Sequence, residues 1–539
     1  MRKLILLILL SNCFNPIILS QNTEQLLAKV IDAETLEPLS YATVRIKNSD
    51  QGIVTDYNGE FRIPIHYKDA IILITSIGYE AKEVSLNKIN LDGLNIIKLK
   101  TQIEALDPVF ISVKNKVKST EVNPEEIVKK SRELSAKEIV LKAIGKIPNN
   151  LSDKAHSYIG YYRDYQLINN KFINLNEGII ETFDEGISTS FLEDNGVSSV
   201  IYSFGQNKNF TIDPSLTKAY DGVTKYIKHS QILPRGGNDY TILNIHNPIR
   251  NHNINTFSYV YRMDKDFPEL HQFRKDKIIF LNNEPLIIIK FKKAKPHDNS
   301  LYGLKTGRND NIDYVQGSLY ISIVDYAIHR FNYKVHPPKS KKPLYNVSLE
   351  YARQNNKMYL NYITFNNSFE IGAKYVLKEE KVEFDKAEQA FYITFNNTKA
   401  NLDMRTIILK NFRFKFKGKS LKTTNIDKES GRVFKIKVES YDGSLIDINT
   451  ENIKELSYKL KRIKDVIGRE IYQHETVKGN QFREFFVQRV NENKSLSDSL
   501  NIMAKNRPIK ESVLNDFLEK NQYWINTPLM DKMYRNKKD

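Results

Sequence analysis

Between residues 26 and 100 the apolar positions come in short runs broken by turn residues, the pattern of a small β-sandwich. Leu26 to Ile31 reads as one strand, with a turn at Pro38 behind it. Ala42, Val44 and Ile46 alternate with Thr43, Arg45 and Lys47, the period of a strand with one buried face. Ile53 to Thr55 and Phe61 to Ile63 flank Asp56, Tyr57, Asn58 and Gly59, which predicts a tight hairpin. Asp and Asn bond their own backbone there, and Gly59 is free to take a positive φ. Ala70 to Thr75 is an almost unbroken apolar run, expected to be a strand buried on both faces.

Leu106 to Ile111 reads as a further strand, and the polar stretch Lys114 to Glu126, with Pro124, as a linker. Ala136 to Ile144 then puts Ile139, Val140, Ala143 and Ile144 at helical spacing. From Tyr158 to Phe414 strands dominate: Tyr158 to Tyr165, Phe172 to Thr182, Lys277 to Leu281, Pro285 to Lys292, Gly317 to Val324, Tyr326 to Val335, Tyr345 to Arg353 and Met358 to Ile371. Short polar turns join them, as in an antiparallel meander. The hexapeptide Tyr362 to Asn367 recurs as Tyr392 to Asn397, fitting equivalent strands of one sheet or chance. Beyond Phe416 the chain turns Lys-rich, with helical spacing at Ile453 to Ile467 and Lys510 to Glu519. Gln481 to Val490 is apolar on one side as helix or strand, and Tyr523 to Ile525 is expected to anchor the tail. The fold class expected is therefore mainly β: an N-terminal sandwich, a large antiparallel β-meander domain, and a smaller α+β C-terminal region. The boundaries expected are 1–20, 22–105, 106–134, 135–415 and 416–539.

The start of the chain changes this picture. Arg2 and Lys3, the apolar run Leu4 to Leu10, and Ile18 to Ser20 before Gln21 form the three parts of a secretory signal peptide. The run is too short to span a bilayer, and no other stretch reaches about 18 apolar residues, so no transmembrane helix is expected. Cys13, the single cysteine, follows Leu10, Ser11 and Asn12, a sequence that resembles a lipobox. Cleavage after Ser20 is the expected processing, with lipid attachment at Cys13 as the alternative. In the first case no thiol is left for a disulfide or metal site.

Composition adds a basic balance: 81 Lys and Arg against 64 Asp and Glu, a net charge of +17. Spread along the chain, it reads first as a solvated surface that keeps β-strands from pairing between molecules. The partner it suggests is an anionic envelope component or an envelope protein. Export argues against nucleic acid.

The segments A-K-V-I-D at 28–32, E-P-L-S-Y-A-T-V at 37–44, G-I-V-T-D-Y-N-G-E-F at 52–61 and S-I-G-Y-E at 76–80 carry a resemblance. In their order they resemble the carboxypeptidase-regulatory-like domain, a transthyretin-like β-sandwich common in exported proteins of Bacteroidetes-type bacteria. The resemblance covers roughly residues 25–105. It implies a periplasmic or outer-membrane setting. It implies no catalysis, because in peptidases the module sits beside the catalytic domain and holds no catalytic residue. Two alternatives come with it: an accessory to a TonB-dependent uptake system, and a peptidase-associated protein. The segments 136–144, 157–165 and 175–179 resemble the region behind this module in a group of Bacteroidetes envelope proteins. The strand pair at 317–331 is similar in pattern to curved half-barrel sheets of lipoprotein-carrier type. A sheet covered by a helix is the preferred reading, over one holding a lipid or peptide.

No residue pattern in the chain marks a catalytic, cofactor or metal site. The ten His (66, 156, 229, 246, 252, 271, 297, 329, 336 and 474) form no H-E-x-x-H. His246 and His252 share an Asn-rich segment, and His329 reads as a structural His in a strand. Asp56 and Asn58 are too few oxygens for Ca²⁺. Glu379 and Glu380 sit in a charged run and are expected to be solvated. No nucleophile elbow, P-loop or dinucleotide fingerprint is present. The basic loop His336 to Pro343 could face an anionic surface, and Asp498, Ser499 and Leu500 fit an O-glycosylation pattern. The function expected is non-enzymatic: an exported envelope protein that binds through β-sheet surfaces.

Overall fold

A computed structural model of the chain describes residues 25–49, 51–91, 93–102, 133–191, 196–216, 238–255, 260, 262–281, 284–293, 314–336, 343–371, 376–397, 401–449, 451–473, 477–516 and 523–529. The expected signal segment, the strand at 106–111, the linker at 114–126, His229, His297, His474 and most of the basic loop after His336 lie outside them.

The first seven strands are β1 (Gln25–Asp32), β2 (Thr43–Ile46), β3 (Gly52–Val54), β4 (Glu60–Pro64), β5 (Ile71–Thr75), β6 (Lys82–Ser85) and β7 (Leu94–Leu99). They form two facing sheets, β4-β1-β7 and β3-β2-β5-β6. Val30, Val44, Phe61, Ile72 and Ile74 fill the space between. The alternation read in β2 is as expected: Val44 and Ile46 are buried and Arg45 is exposed. Two expectations fail. The segment 56–59 closes no hairpin, because β3 pairs with β2 and β4 pairs with β1. One Asp56 carboxylate oxygen accepts from the backbone N–H of both Asn58 and Glu60, at 2.9 Å each. This side chain turns the chain from one sheet to the other, and Gly59 takes φ 74° inside the turn. Nor is β5 buried on both faces. Ile72 and Ile74 point inward while Ile71 is exposed, because only one side of this sheet meets the other.

Helix α1 (Ala136–Asn150) runs further than its apolar spacing suggested. Ser135 and Glu138 start it with a reciprocal capping box, and Ile139, Val140, Ala143 and Ile144 are buried as expected. Strands β8 (His156–Ile168), β9 (Lys171–Asp184) and β10 (Val197–Gln206) come next in the chain. After the short helices α2 (Asp239–Ile245) and α3 (Asp266–Leu270) come β11 (Gln272–Leu281), β12 (Glu284–Lys293), β13 (Tyr314–Ser322), β14 (Ile328–His336), β15 (Tyr345–Gln354) and β16 (Lys357–Ile371). The meander from β11 to β16 is antiparallel throughout.

The chain then builds a six-stranded sheet from β17 (Glu379–Asp385), β18 (Ala390–Phe395), β19 (Phe412–Phe416), β20 (Lys419–Lys428), β21 (Val433–Glu439) and β22 (Leu456–Leu460). It has a core of its own, with Phe391 and Phe414 stacked at 4.1 Å. The two copies of the hexapeptide therefore fall in different sheets, β16 and β18. Buried Arg469 joins this unit to the rest, reaching Asp465 at 2.5 Å and Asp213 at 2.8 Å.

The last strand, β23 (Val477–Glu492), returns to lie between β8 and β16 and completes a sheet of ten in the order β10-β9-β8-β23-β16-β15-β14-β13-β12-β11. The boundary expected at residue 415 thus cuts through both large sheets. Helices expected at 453–467 and 510–519 are absent among the described residues. Ile453–Glu455 and Ile509–Glu511 are single 3-10 turns, and Leu456–Leu460 is a strand. The free edge of β19 offered Leu456–Leu460 a ladder, which outweighed a weak helical pattern. No described helix is long and apolar enough to cross a membrane.

Candidate functional site

The ten-stranded sheet has two unlike faces. Along each strand successive side chains point to opposite sides. On one side Ile289, Leu319, Phe331, Val347 and Phe485 pack under α1, α2 and α3 in the largest core. The apolar face is covered by helices, as expected.

The N-terminal sandwich lies across the other face. Tyr41 and Val54 pack on Ile159, Tyr161, Tyr362 and Phe486, and Ile77 packs on Ile279 and Ile288. Beneath this joint sits a buried charge group. Arg163 of β8 holds Glu484 of β23 at 2.5 Å and lies 3.8 Å from Asp56. Burial pushes the carboxyl groups of Asp56 and Glu484 up, and the Arg163 guanidinium pulls them back down. Asp56 is thus a turn-former and an ion-pair partner rather than a cation ligand.

Beside the joint the sandwich and strands β11 to β16 leave an open groove of about 810 Å³. Its floor is two cross-strand rows. The first runs Gln272, Lys292, Gln316, Lys334 and Asn346; the second runs Arg274, Lys290, Ser318, Asn332 and Ser348. Ser348 donates to Asn332 at 2.6 Å, and Asn332 to Ser318 at 3.4 Å, a hydrogen-bonded chain over three strands. Arg330 extends the floor and is clamped by Glu350 at 2.6 Å, and Lys290 pairs with Asp276 at 2.8 Å. Among the described residues no carboxylate pairs with Arg274, Lys292 or Lys334. Nor does any described Asp or Glu line the groove. Ser40, Tyr41 and Tyr57 of the sandwich form its far wall. Tyr41 is held at φ 63°, a left-handed backbone that costs a bulky residue on the order of 1–3 kcal/mol. Its ring stacks on Tyr362 at 4.9 Å, which fixes the wall against the floor. Burial raises the Tyr362 hydroxyl to about 12 and the Tyr41 hydroxyl well above its ordinary value, so both stay protonated.

None of the sequence candidates lies in this groove except at its margin, where His336 meets Gln316 at 3.2 Å. His246 bonds the Ile242 carbonyl and stacks on Phe365, and burial pushes it down to about 4. Burial also lowers His252. His271 bonds the Phe267 carbonyl and the Tyr333 hydroxyl, and burial takes it to about 3. His329 lies 3.4 Å from Glu284, which also holds Arg353. Glu379 accepts from the hydroxyls of Tyr458 and Tyr472, and Glu380 pairs with Arg432 while remaining exposed, as expected of a solvated charged run. Ser499 lies exposed in a turn, bonded to Ser497. Among the described residues no group of three or more His, Cys, Asp or Glu could hold a metal ion. The groove was missed although its signal was present: in β12 to β15 the positions between core residues are polar or basic in one phase.

A second buried charge group lies on the helix side, where Arg483 reaches Asp239 at 2.9 Å. Burial and the Asp239 charge push neighbouring Asp164 up to about 7. A carboxyl raised on folding favours the folded state below its ordinary value of 3.8 and loses that advantage as pH climbs through about 7. Asp164→Asn is therefore expected to gain thermal stability over the wild type progressively from about pH 4 to about pH 7 and to level off above that. Paired melting curves check this; a difference that does not change with pH rejects the assignment.

Residues 28–111 match the family model of the CarboxypepD_reg-like domain, the module that the motifs resemble. No curated protein matches the chain. Solved structures similar to it include a DUF1329 family protein from Desulfovibrio piger, 9% identical, over 43% of this chain and 87% of that one, with a TM-score of 0.20. Another is an outer membrane lipoprotein-sorting protein domain from Vibrio parahaemolyticus, 8% identical, over 43% of this chain and 86% of that one, with a TM-score of 0.17.

Proposed function

We propose that this is an exported cell-envelope protein that works by binding, without catalysis, and that its binding surface is the groove between the sandwich and the second face of the large sheet. The observation that carries the reading is the groove's lining: wide, open, rich in cations and, among the described residues, free of carboxylates. An antiparallel sheet can fold with one face in water, but folding alone does not call for cations gathered on that face without carboxylates. The regulatory-type module supports a role beside catalysis rather than in it. The three-part pattern of residues 1–20 supports export.

Cell fractionation with mapping of the mature N-terminus tests the first part. The chain is expected in the envelope fraction and to begin at Gln21. A cytosolic chain that retains Met1 would overturn export. The purified protein is expected to turn over neither peptide nor ester substrates and to carry no stoichiometric zinc. Native mass spectrometry of protein from envelopes is expected to show a retained component that Lys292→Glu/Lys334→Glu loses. Retention unchanged by that charge reversal would move the binding surface elsewhere.

A further inference from the structure

We infer that the groove takes an acidic carbohydrate, an inference that rests on its being the binding surface. Three properties of the lining select that chemistry. First, its charge is of one sign. Arg274, Lys292 and Lys334 project from β11, β12 and β14 with no carboxylate partner among the described residues, so an anion meets no competing acid there. Second, the lining holds no Val, Leu, Ile or Met among the described residues; its hydrophobic residues are aromatic. An acyl chain buried there would face amides, hydroxyls and cations, whose desolvation it could not repay with hydrogen bonds. A lipid tail is therefore disfavoured even where its headgroup would suit the charge.

Third, the groove offers hydrogen-bond acceptors as well as donors. The Asn346 side-chain oxygen is buried in the floor with no hydrogen-bond partner among the described residues. An unpaired buried acceptor is costly, and a ligand hydroxyl donating to it would relieve that cost. Phosphate and sulfate esters have no such donor, whereas every sugar ring does. The exposed amides of Gln272 and Gln316 flank Lys292 in the same cross-strand row and can do both. Tyr57, 55% exposed on the opposite wall, supplies a flat face for a sugar's C–H side. Tyr41 and Tyr362 are buried against each other. A single-stranded nucleic acid would want several open rings on which successive bases stack. Here Tyr57 is the open ring among the described lining residues.

The test uses the full chain on an array bearing uronic-acid, sialic-acid and sulfated oligosaccharides beside their neutral counterparts. Phosphatidylglycerol vesicles and a single-stranded oligonucleotide are run separately. At least one acidic oligosaccharide is expected to bind, and its neutral counterpart about ten-fold more weakly or not at all. Lys292 and Lys334 are both exposed. Lys292→Gln and Lys334→Gln are each expected to weaken binding by about ten-fold while leaving the melting temperature unchanged. Asn346→Ala is expected to weaken acidic and neutral sugars alike, because it removes an acceptor for hydroxyls and not a charge. If vesicles or the oligonucleotide bind in a Lys292- and Lys334-dependent way and no acidic glycan does, the carbohydrate assignment falls while the groove stands as a binding surface. If no probe is retained, both fall. Glycan binding that ignores all three substitutions also overturns the assignment.

Discussion

Replacing Trp524 by Ala is expected to destabilise the protein by about 3–5 kcal/mol, the cost of emptying a large aromatic site from a core. The tail was expected to dock through residues 523–525; the structure shows where it docks. Trp524 is 2% exposed and belongs to the core of the N-terminal sandwich, with its ring 5.1 Å from that of Tyr67. Its backbone is tied to the large sheet instead. Trp524 N–H donates to the Gln488 side chain at 2.8 Å, and that side chain donates back to the Trp524 carbonyl at 2.7 Å. Asn526 continues the seam, accepting from the Arg62 N–H at 3.1 Å and from Arg163 at 2.9 Å. The tail is thus a strip between module and sheet, and loss of the ring should loosen both neighbours. Hydrogen exchange is the direct readout: β1, β4 and β5 should lose protection in the variant, while β18 and β21 in the six-stranded sheet keep theirs. Because the chain has one Trp, its fluorescence, excited selectively over Tyr during a urea titration of the wild type, reports the environment of this docking site and the sandwich core around it. Unchanged exchange in the sandwich would show that the ring is not part of its core.

Arg163→Met is expected to cost about 3–5 kcal/mol at pH 8, because it leaves buried carboxylates without their partner. Arg163 and Glu484 have side chains 1% and 0% exposed, so water cannot compensate. The sign of the pH dependence comes from the same burial. Without the guanidinium, Asp56 and Glu484 are pushed further up and take protons more readily in the folded state than unfolded. The penalty should then shrink as pH falls from about 8 towards about 5, the direction being set by linkage. Adding Glu484→Gln should recover part of it at pH 8. Urea unfolding of the three proteins at both pH values decides. A single variant within about 1 kcal/mol of wild type would mean the group is wetter than its geometry implies.

Both sites lie where distant parts of the chain meet, which marks the limit of what was legible. The Ala42 to Lys47 alternation, the apolar spacing in α1 and the ordered motifs of the sandwich are legible because each is written within a few residues. The path of the chain through 56–59 is not, since a turn signal says that the chain reverses but not which strand receives it. The helix expected at 453–467 fails for the same kind of reason: Leu456–Leu460 suits either period in isolation, and the edge of β19 decided it.

The sequence alone determined which side chains share a face of each strand, because the pleat puts alternate residues on opposite sides whatever surrounds them. It therefore already held the polar face of Lys290, Lys292, Asn332, Lys334, Asn346 and Ser348. Only the tertiary structure decided that this face would stay open over part of β11 to β15 and be covered over β8, β23 and Tyr362 of β16. That choice rests on burial between segments hundreds of residues apart, such as Asp56, Arg163, Glu484 and Asn526, and no local period encodes it.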